Sequence, residues 1–302
     1  MYVSKHFTMS VMSISDVGGD HFNIVDFGEF KSSLFGKSLE CIKELNAKLP
    51  DFKFRDGDIL LASYPKTGCA WTYEILTMLL AGRAVKPDHG KMDSMLEANL
   101  PADIDRQPSP RVLNSHLPHH RVPVDIRNKK VKVVFVLRNP KDAAVSYFNM
   151  MVGMKHYNYS GNFQNWLPLY MNGPLAFIPY TDYLQEWEQV YRDQLYDMII
   201  VYFEDMKKNT MHEVKRLADF LGVSYADELL EEISGKCQFK EMQNRYDKDM
   251  MGKYKDEVNY GFLRKGEVGD WKRWFTVAMS EEYDAHLQQH LAGSMFQFKY
   301  AL

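Results

Sequence analysis

Apolar positions along the chain change period in a repeating order. Ile59-Leu60-Leu61-Ala62 is a short unbroken apolar run, the pattern of a strand covered on both faces. It gives way to Ser63-Tyr64-Pro65-Lys66-Thr67-Gly68, and then Trp71, Ile75 and Leu79 recur every four residues with Leu76 and Leu80 beside them. That sequence of periods predicts strand, turn, helix. Val131–Leu137 repeats the scheme with a run rich in β-branched residues. It ends at Arg138, where Asn139 suits a helix N-cap, Pro140 the first helical position and Asp142 the first turn. Met198–Phe203 predicts a third buried strand, followed by an amphipathic helix through Val214, Leu217, Phe220 and Leu221 that Gly222 closes. Residues 281–292 read as one more helix. Strands alternating with helices predict an α/β fold, a central parallel β-sheet flanked by helices in a three-layer sandwich.

Two stretches lack such periodicity. The first 25 or so residues read as a loose N-terminal arm, and the polar, glycine-dotted residues 244–269 as a mobile lid loop. Everything between them fits one domain spanning residues 1–302.

Composition narrows the chemistry. The formal net charge is −3 over 302 residues, so no global basic field favours nucleic acid, and an anion site would have to be built from a few placed groups. Three cysteines (Cys41, Cys69 and Cys237) are too few and too scattered for a disulfide framework and suit a reducing compartment, which predicts a cytoplasmic protein. No pair among them has zinc-ligand spacing, and no metal is expected. The N-terminus lacks a secretory signal pattern, and no uncharged apolar run reaches membrane-spanning length.

Three segments and one histidine carry candidate chemistry. Lys66, Thr67 and Gly68 lie where a strand turns into a helix, so backbone N–H groups and the helix dipole favour an anion, with Lys66 adding a full charge. The lysine precedes a single glycine, unlike a Walker A loop, and on its own the segment is also compatible with a plain turn. Arg138 at a strand end, with Ser146 two turns into the next helix, offers a forked grip on a phosphate or, equally, a structural ion pair. Arg264-Lys265-Gly266 lies in a basic, glycine-bearing stretch that by itself reads as a solvated patch. His116, after Val112-Leu113, has the chemistry of a general base, though nine other histidines compete for that role.

Taken in order, YPKTGCAW, HLP, RNPKDAAVSY, FEDM and RKGEVGDW resemble the cytosolic sulfotransferase family, over about Asp58 to Glu281. The resemblance implies a P-loop-like fold and a donor, 3′-phosphoadenosine 5′-phosphosulfate (PAPS), that leaves as PAP. It implies that Lys66, Thr67, Gly68, Cys69, Ala70 and Trp71 hold the phosphosulfate end. It implies that Arg138 and Ser146 grip the 3′-phosphate, over which Arg264, Lys265 and Gly266 close, and that Trp71 and Phe239 stack on adenine. His116 would be the catalytic base and Lys66 the leaving-group cation. The acceptor would be a small hydrophobic phenol, sterol, alcohol or amine; by residue type alone Met150, Met151 and Met154, after Arg138, suit an adaptable pocket or, more simply, a methionine-rich core. Lys272, Thr276, Val277 and Glu281 match a degenerate homodimer-contact motif.

Four positions depart from the family pattern. Asn114 stands where a lysine is common, Cys69 and Ala70 replace threonines, Phe203 replaces a tyrosine, and Cys237 stands for a threonine on the donor side. They leave open a catalytically silent nucleotide- or ligand-binding relative. A nucleotide-dependent kinase is the other alternative, one that would need a magnesium-holding loop.

Overall fold

The computed structural model describes residues 9–28, 30–85, 88–245 and 263–302. Its centre is a four-stranded parallel sheet of β4 (Ile59–Ser63), β5 (Val112–Ser115), β6 (Lys132–Leu137) and β7 (Asp197–Tyr202), in the order β5-β4-β6-β7. Every residue of β4 is buried. Side chains alternate between two cores, Leu60 and Ala62 with Val133, Phe135 and Leu137 on one face, and Ile59 and Leu61 with Val134 and Val136 on the other. This is why these strands read as unbroken apolar runs.

Helices cover both faces. On one side lie α2 (Cys69–Ala81), α8 (Thr210–Leu221) and α9 (Asp227–Lys236). On the other lie α4 (Pro140–Gly153), α5 (Phe163–Asn172), α6 (Tyr180–Arg192) and α10 (Val277–His290). The second core is aromatic, with the Tyr64 and Tyr180 rings stacked at 4.6 Å and Phe135 stacked on Trp187 at 5.5 Å. Short helices α1 (Leu39–Lys48), α3 (Pro101–Ile104) and α7 (Phe203–Lys208) complete the connections. The predicted caps form: the Asn139 side chain accepts from Asp142 N, and Gly222 ends α8 at φ 77°. The C-terminal helix starts at Val277, four residues before the predicted 281, with the Thr276 hydroxyl accepting from Met279 N.

The N-terminus corrects the expectation of a loose arm. Residues 10–26 form a β-hairpin, β1 (Ser10–Ser15) with β2 (His21–Asp26), and β3 (Lys31–Ser32) adds to it in an antiparallel sheet. Asp16 closes the turn by accepting from Gly18 N at 2.8 Å and Asp20 N at 3.0 Å, while Tyr159 donates to its other oxygen at 2.6 Å. Phe22 and Ile24 enter the aromatic core. β1 buries none of its residues fully and exposes Val11 among its serines, so periodicity alone is weak there. Residues 246–262, most of the expected lid, lie outside the described residues.

At the foot of β5, Arg111 and Asp58 form a fully buried two-pronged pair, Nε–Oδ1 3.0 Å and NH2–Oδ2 2.6 Å, and Arg111 NH1 also reaches Asp105 at 2.8 Å. Replacing Arg111 with Ala strands the Asp58 carboxylate in the interior. Urea denaturation should show a loss of about 3–5 kcal/mol. A loss near zero would mean that Asp58 is re-solvated and the pair does not anchor β5.

Candidate active site

Parallel strands all end at one edge of the sheet, and here each C-terminal end delivers a functional group. From β4 the chain goes to β5 on one side and from β6 to β7 on the other, so a crevice opens between the ends of β4 and β6, where such sheets bind ligands. A cavity of about 190 Å³ sits there. Lys66 follows β4, His116 follows β5, Arg138 follows β6 and Phe203 follows β7, and all four line it.

The turn after β4 is conformationally unusual. Lys66 has φ 71° and Gly68 φ 120°, left-handed values that cost energy for a lysine and that only glycine adopts freely. The result is a tight bend that starts α2 directly. The first intrahelical bond is Thr72 N to Gly68 O at 3.1 Å, so the N–H groups of Cys69, Ala70 and Trp71 precede the ladder at the cavity wall. Burial, and then the cations Lys91, Arg138 and Arg264, pull the Lys66 ammonium down to about 7.

His116 is buried. Its Nδ1 lies 2.6 Å from Ser63 O, an acceptor, so Nδ1 carries the proton and Nε2 keeps its lone pair toward the cavity. Its backbone N–H donates to Glu97 Oε1 at 2.7 Å, and the Ser115 hydroxyl donates to Glu97 Oε2 at 2.9 Å. Burial first, then the Lys91 and Lys66 charges, hold the imidazole well below its usual range; burial lifts the Glu97 carboxyl to about 7. His116 is therefore a neutral imidazole at physiological pH, with its basic lone pair on Nε2.

At the opposite end of the cavity, Arg138 NH1 donates to Lys66 O at 3.2 Å and NH2 to Glu267 O at 3.0 Å, and its guanidinium lies 4.2 Å from the centre of the Phe203 ring. Among the described residues Arg138 Nε and Trp71 Nε1 are buried without a hydrogen-bond partner, which is costly unless a ligand supplies one. Ser146 lines the same end. Arg264 and Lys265 are held by the buried Asp270, the first in a short contact and the second at 2.8 Å. Asp142 then ties this loop to α4, accepting from Gly269 N at 2.7 Å and Trp271 N at 2.9 Å. Phe239 packs against Gly266, and Trp71 meets Phe203 edge to face at 5.6 Å.

The folded chain thus brings Lys66, Gly68, Cys69, Ala70, Trp71, Arg138, Ser146, Phe203, Phe239, Arg264, Lys265, Gly266 and His116 to one cavity. Two expected donor contacts stay outside it. The Thr67 side chain is buried, its hydroxyl 2.8 Å from Tyr64 O and 3.2 Å from Val136 O, so it locks the turn. Cys237 is fully buried in the core against α2, with its thiol pushed up to about 12 by burial. Met150 and Met154 line the cavity, but Met151 points into the core, where Trp166 Nε1 donates to its sulfur. Lys91, Glu97 and the apolar wall of Met92, Met95, Phe35 and Phe177 carry no periodic or motif signal in the sequence; only the fold delivers them. Among the described residues no group of three or more His, Cys, Asp or Glu is placed to hold a metal, and no helix is long and apolar enough to cross a membrane.

Residues 56–295 match the sulfotransferase domain family. The chain belongs to the sulfotransferase family. It is 31% identical over 290 residues to mouse sulfotransferase 1A1, covering 87% of this chain and 95% of the mouse protein. With rabbit amine sulfotransferase it shares 32% identity over 282 residues, 89% of this chain and 92% of the rabbit protein. Among solved structures it superposes on a mouse sulfotransferase complexed with PAP at a TM-score of 0.74 and 25% identity, covering 90% of this chain and 96% of that one. Retinol dehydratase in complex with retinol and PAP gives the same TM-score, 0.74, at 17% identity, covering 97% and 99%, a likeness of fold.

In this sulfotransferase Gly266 has φ 62°, and a Cβ there would stand 2.1 Å from Phe239 Cδ2. Gly266→Ala would strain the loop and displace the Phe239 ring. Adenosine-nucleotide binding, read by calorimetry, should weaken about tenfold. Unchanged affinity would count against the expected contact of Phe239 and Gly266 with a nucleotide.

Proposed function

We propose that this sulfotransferase moves a sulfuryl group from PAPS to a hydroxyl or amine of a small, largely apolar acceptor, with His116 as general base. The observation that carries the reading is the joining of two ends in one cavity. A cationic end built from Arg138, Ser146 and the Arg264–Gly266 loop continues through Lys66 and the start of α2 to a neutral imidazole facing an apolar wall.

The first end suits a doubly charged phosphate. Arg138 is preset by Tyr180, whose hydroxyl donates to Arg138 O at 3.0 Å, and by its own bonds to Lys66 O and Glu267 O, so little side-chain freedom is lost on binding. Trp71, Phe203 and Phe239 supply flat surfaces for adenine. At the far end Met92, Met95, Met150, Met154 and Phe177 form an adaptable apolar wall for the acceptor.

The chemistry follows from placement. His116 Nε2 takes the proton of the acceptor as its oxygen or nitrogen bonds to sulfur, while the bond from sulfur to the bridging oxygen breaks and its electron pair goes to the phosphate. Lys66 and the N–H groups at the start of α2 meet the charge that develops on that oxygen. Alignment of the two reactants supplies much of the acceleration. Cys69 and Ala70 provide backbone N–H groups but no hydroxyl, and Phe203 no phenol oxygen, so the donor grip rests on backbone and cations.

The same reading includes a cytoplasmic protein of one domain, and a homodimer contact through Lys272, Thr276, Val277 and Glu281. All four residues are solvent-exposed, Val277 at 75%.

A transfer assay with sulfate-labelled PAPS across phenols, sterols, alcohols and amines tests the function. His116→Ala should lower kcat by about 10²–10⁴-fold with PAP binding intact. Activity that survives the substitution would make His116 structural. Since the imidazole is held below its usual range, kcat/KM for the wild type should stay level through mildly acid pH rather than fall near 6.5.

Lys66 gives an independent check. Its ammonium, at about 7 in the free protein, is largely deprotonated at pH 8. A bound polyanion favours the charged form, so PAP binding at pH 8 should draw about one proton from the buffer. Calorimetry in buffers of different ionisation enthalpy reads that uptake directly, and no uptake would mean that Lys66 is already charged in the free protein or that the phosphates bind away from it.

A further inference from the structure

Asn114 stands at the sequence position where a cation was expected beside the reacting group, yet that end of the cavity does not lack one. Lys91, from the 3-10 turn Lys91–Ser94 between α2 and α3, sends its ammonium to 3.3 Å from His116 Nε2 and lines the same cavity as Lys66. Its residue is 93% buried, and among the described residues no carboxylate lies within ion-pair distance of its Nζ. A neutral imidazole is a weak partner for a buried ammonium, which is stable only where an anion can reach it. Asn114 holds Lys91 there, its Nδ2 donating to Lys91 O at 2.6 Å.

We propose that Lys91 is the cation that binds the transferring sulfuryl group, a task moved from the β5 strand to this turn and secured by Asn114. The proposal rests on the sulfuryl-transfer reading above. It also resolves a conflict in the geometry. His116 can take the acceptor's proton only at Nε2, where Lys91 now donates. With sulfuryl oxygens present, the ammonium has a far stronger acceptor, and its flexible four-carbon stem lets it turn to them and release the Nε2 lone pair. The acceptor's proton then passes to Nε2, the new bond to sulfur forms, the bridging bond breaks toward the oxygen at Lys66, and Lys91 stays on the non-bridging oxygens throughout. Lys91 also lowers the proton affinity of His116, with Lys66 adding to it, and Lys66, Glu97 and Cys69 feel its charge as well.

The test compares the wild type, Lys91→Met, and Lys91→Met combined with Asn114→Lys, by steady-state transfer from PAPS, PAP calorimetry and thermal melting. PAP lacks the sulfuryl group, so its affinity separates a role at sulfur from a role in folding. Lys91→Met should lower kcat about a hundredfold while PAP affinity and melting hold. Its acid limb of kcat/KM should move to higher pH, because His116 without the neighbouring charge protonates more easily. Adding Asn114→Lys should recover about tenfold of the loss by returning a cation from the strand. Unchanged kcat in Lys91→Met, with an active wild type, would overturn the role of the lysine alone. So would a fall in kcat matched by lost PAP affinity and melting. A wild type that binds PAPS and transfers to no acceptor would overturn the functional reading, and the lysine's role with it.

Discussion

The parallel hydrogen-bonded alignment of β5, β4, β6 and β7 is the constraint on which the rest depends. Because the strands run the same way, their C-terminal ends share one edge, and residues as distant in the chain as Lys66, His116, Arg138 and Phe203 meet there. Parallel strands need crossover connections that carry the chain back, α-helical after β4 and after β6, and the helices bury both faces of the sheet. The site is thus a by-product of the way the core is built: what buries Leu61 and Val134 also aims the groups that follow them.

Gathering cations at one edge carries an electrostatic cost that the surrounding carboxylates limit. Asp270 takes Arg264 and Lys265, and the pairs hold its carboxyl below the usual range despite burial, which pushes it the other way. Glu204 accepts from Asn139 N at 2.9 Å near Arg138, and Asp142 ties the loop over it. Lys66 shows the cost directly in a proton affinity lowered by burial and by the Lys91, Arg138 and Arg264 charges. The cage is therefore organised before a ligand enters, and it favours one that brings negative charge along its whole length.

The histidine end is controlled differently. Its geometry comes from one backbone carbonyl and one side chain: Ser63 O fixes the tautomer and the Glu97 carboxylate holds the His116 amide. Each belongs to a different segment, so the imidazole is oriented by tertiary packing. Its position just after β5 places it beside the turn after β4, because Ala62 and Ser115 are paired in register.

Much of this was legible in the residues alone, because a buried parallel strand and an amphipathic helix leave unmistakable periods. The strand-turn-helix units around Lys66 and Arg138, the Asn139 cap and the Gly222 stop follow from local pattern. The N-terminal hairpin did not show itself, since its strands are mixed in polarity and gain their place by packing Phe22 and Ile24 into a core formed by distant segments. Nor did the inward turn of Thr67 and Cys237, or the arrival of Lys91 and Glu97 from an irregular stretch. Local periodicity records which face of an element is buried, and the chain carries that record in every window. Which side chains from separate elements end within hydrogen-bonding distance depends on how those elements dock, and that was decided only when the sheet and its helices closed around one another.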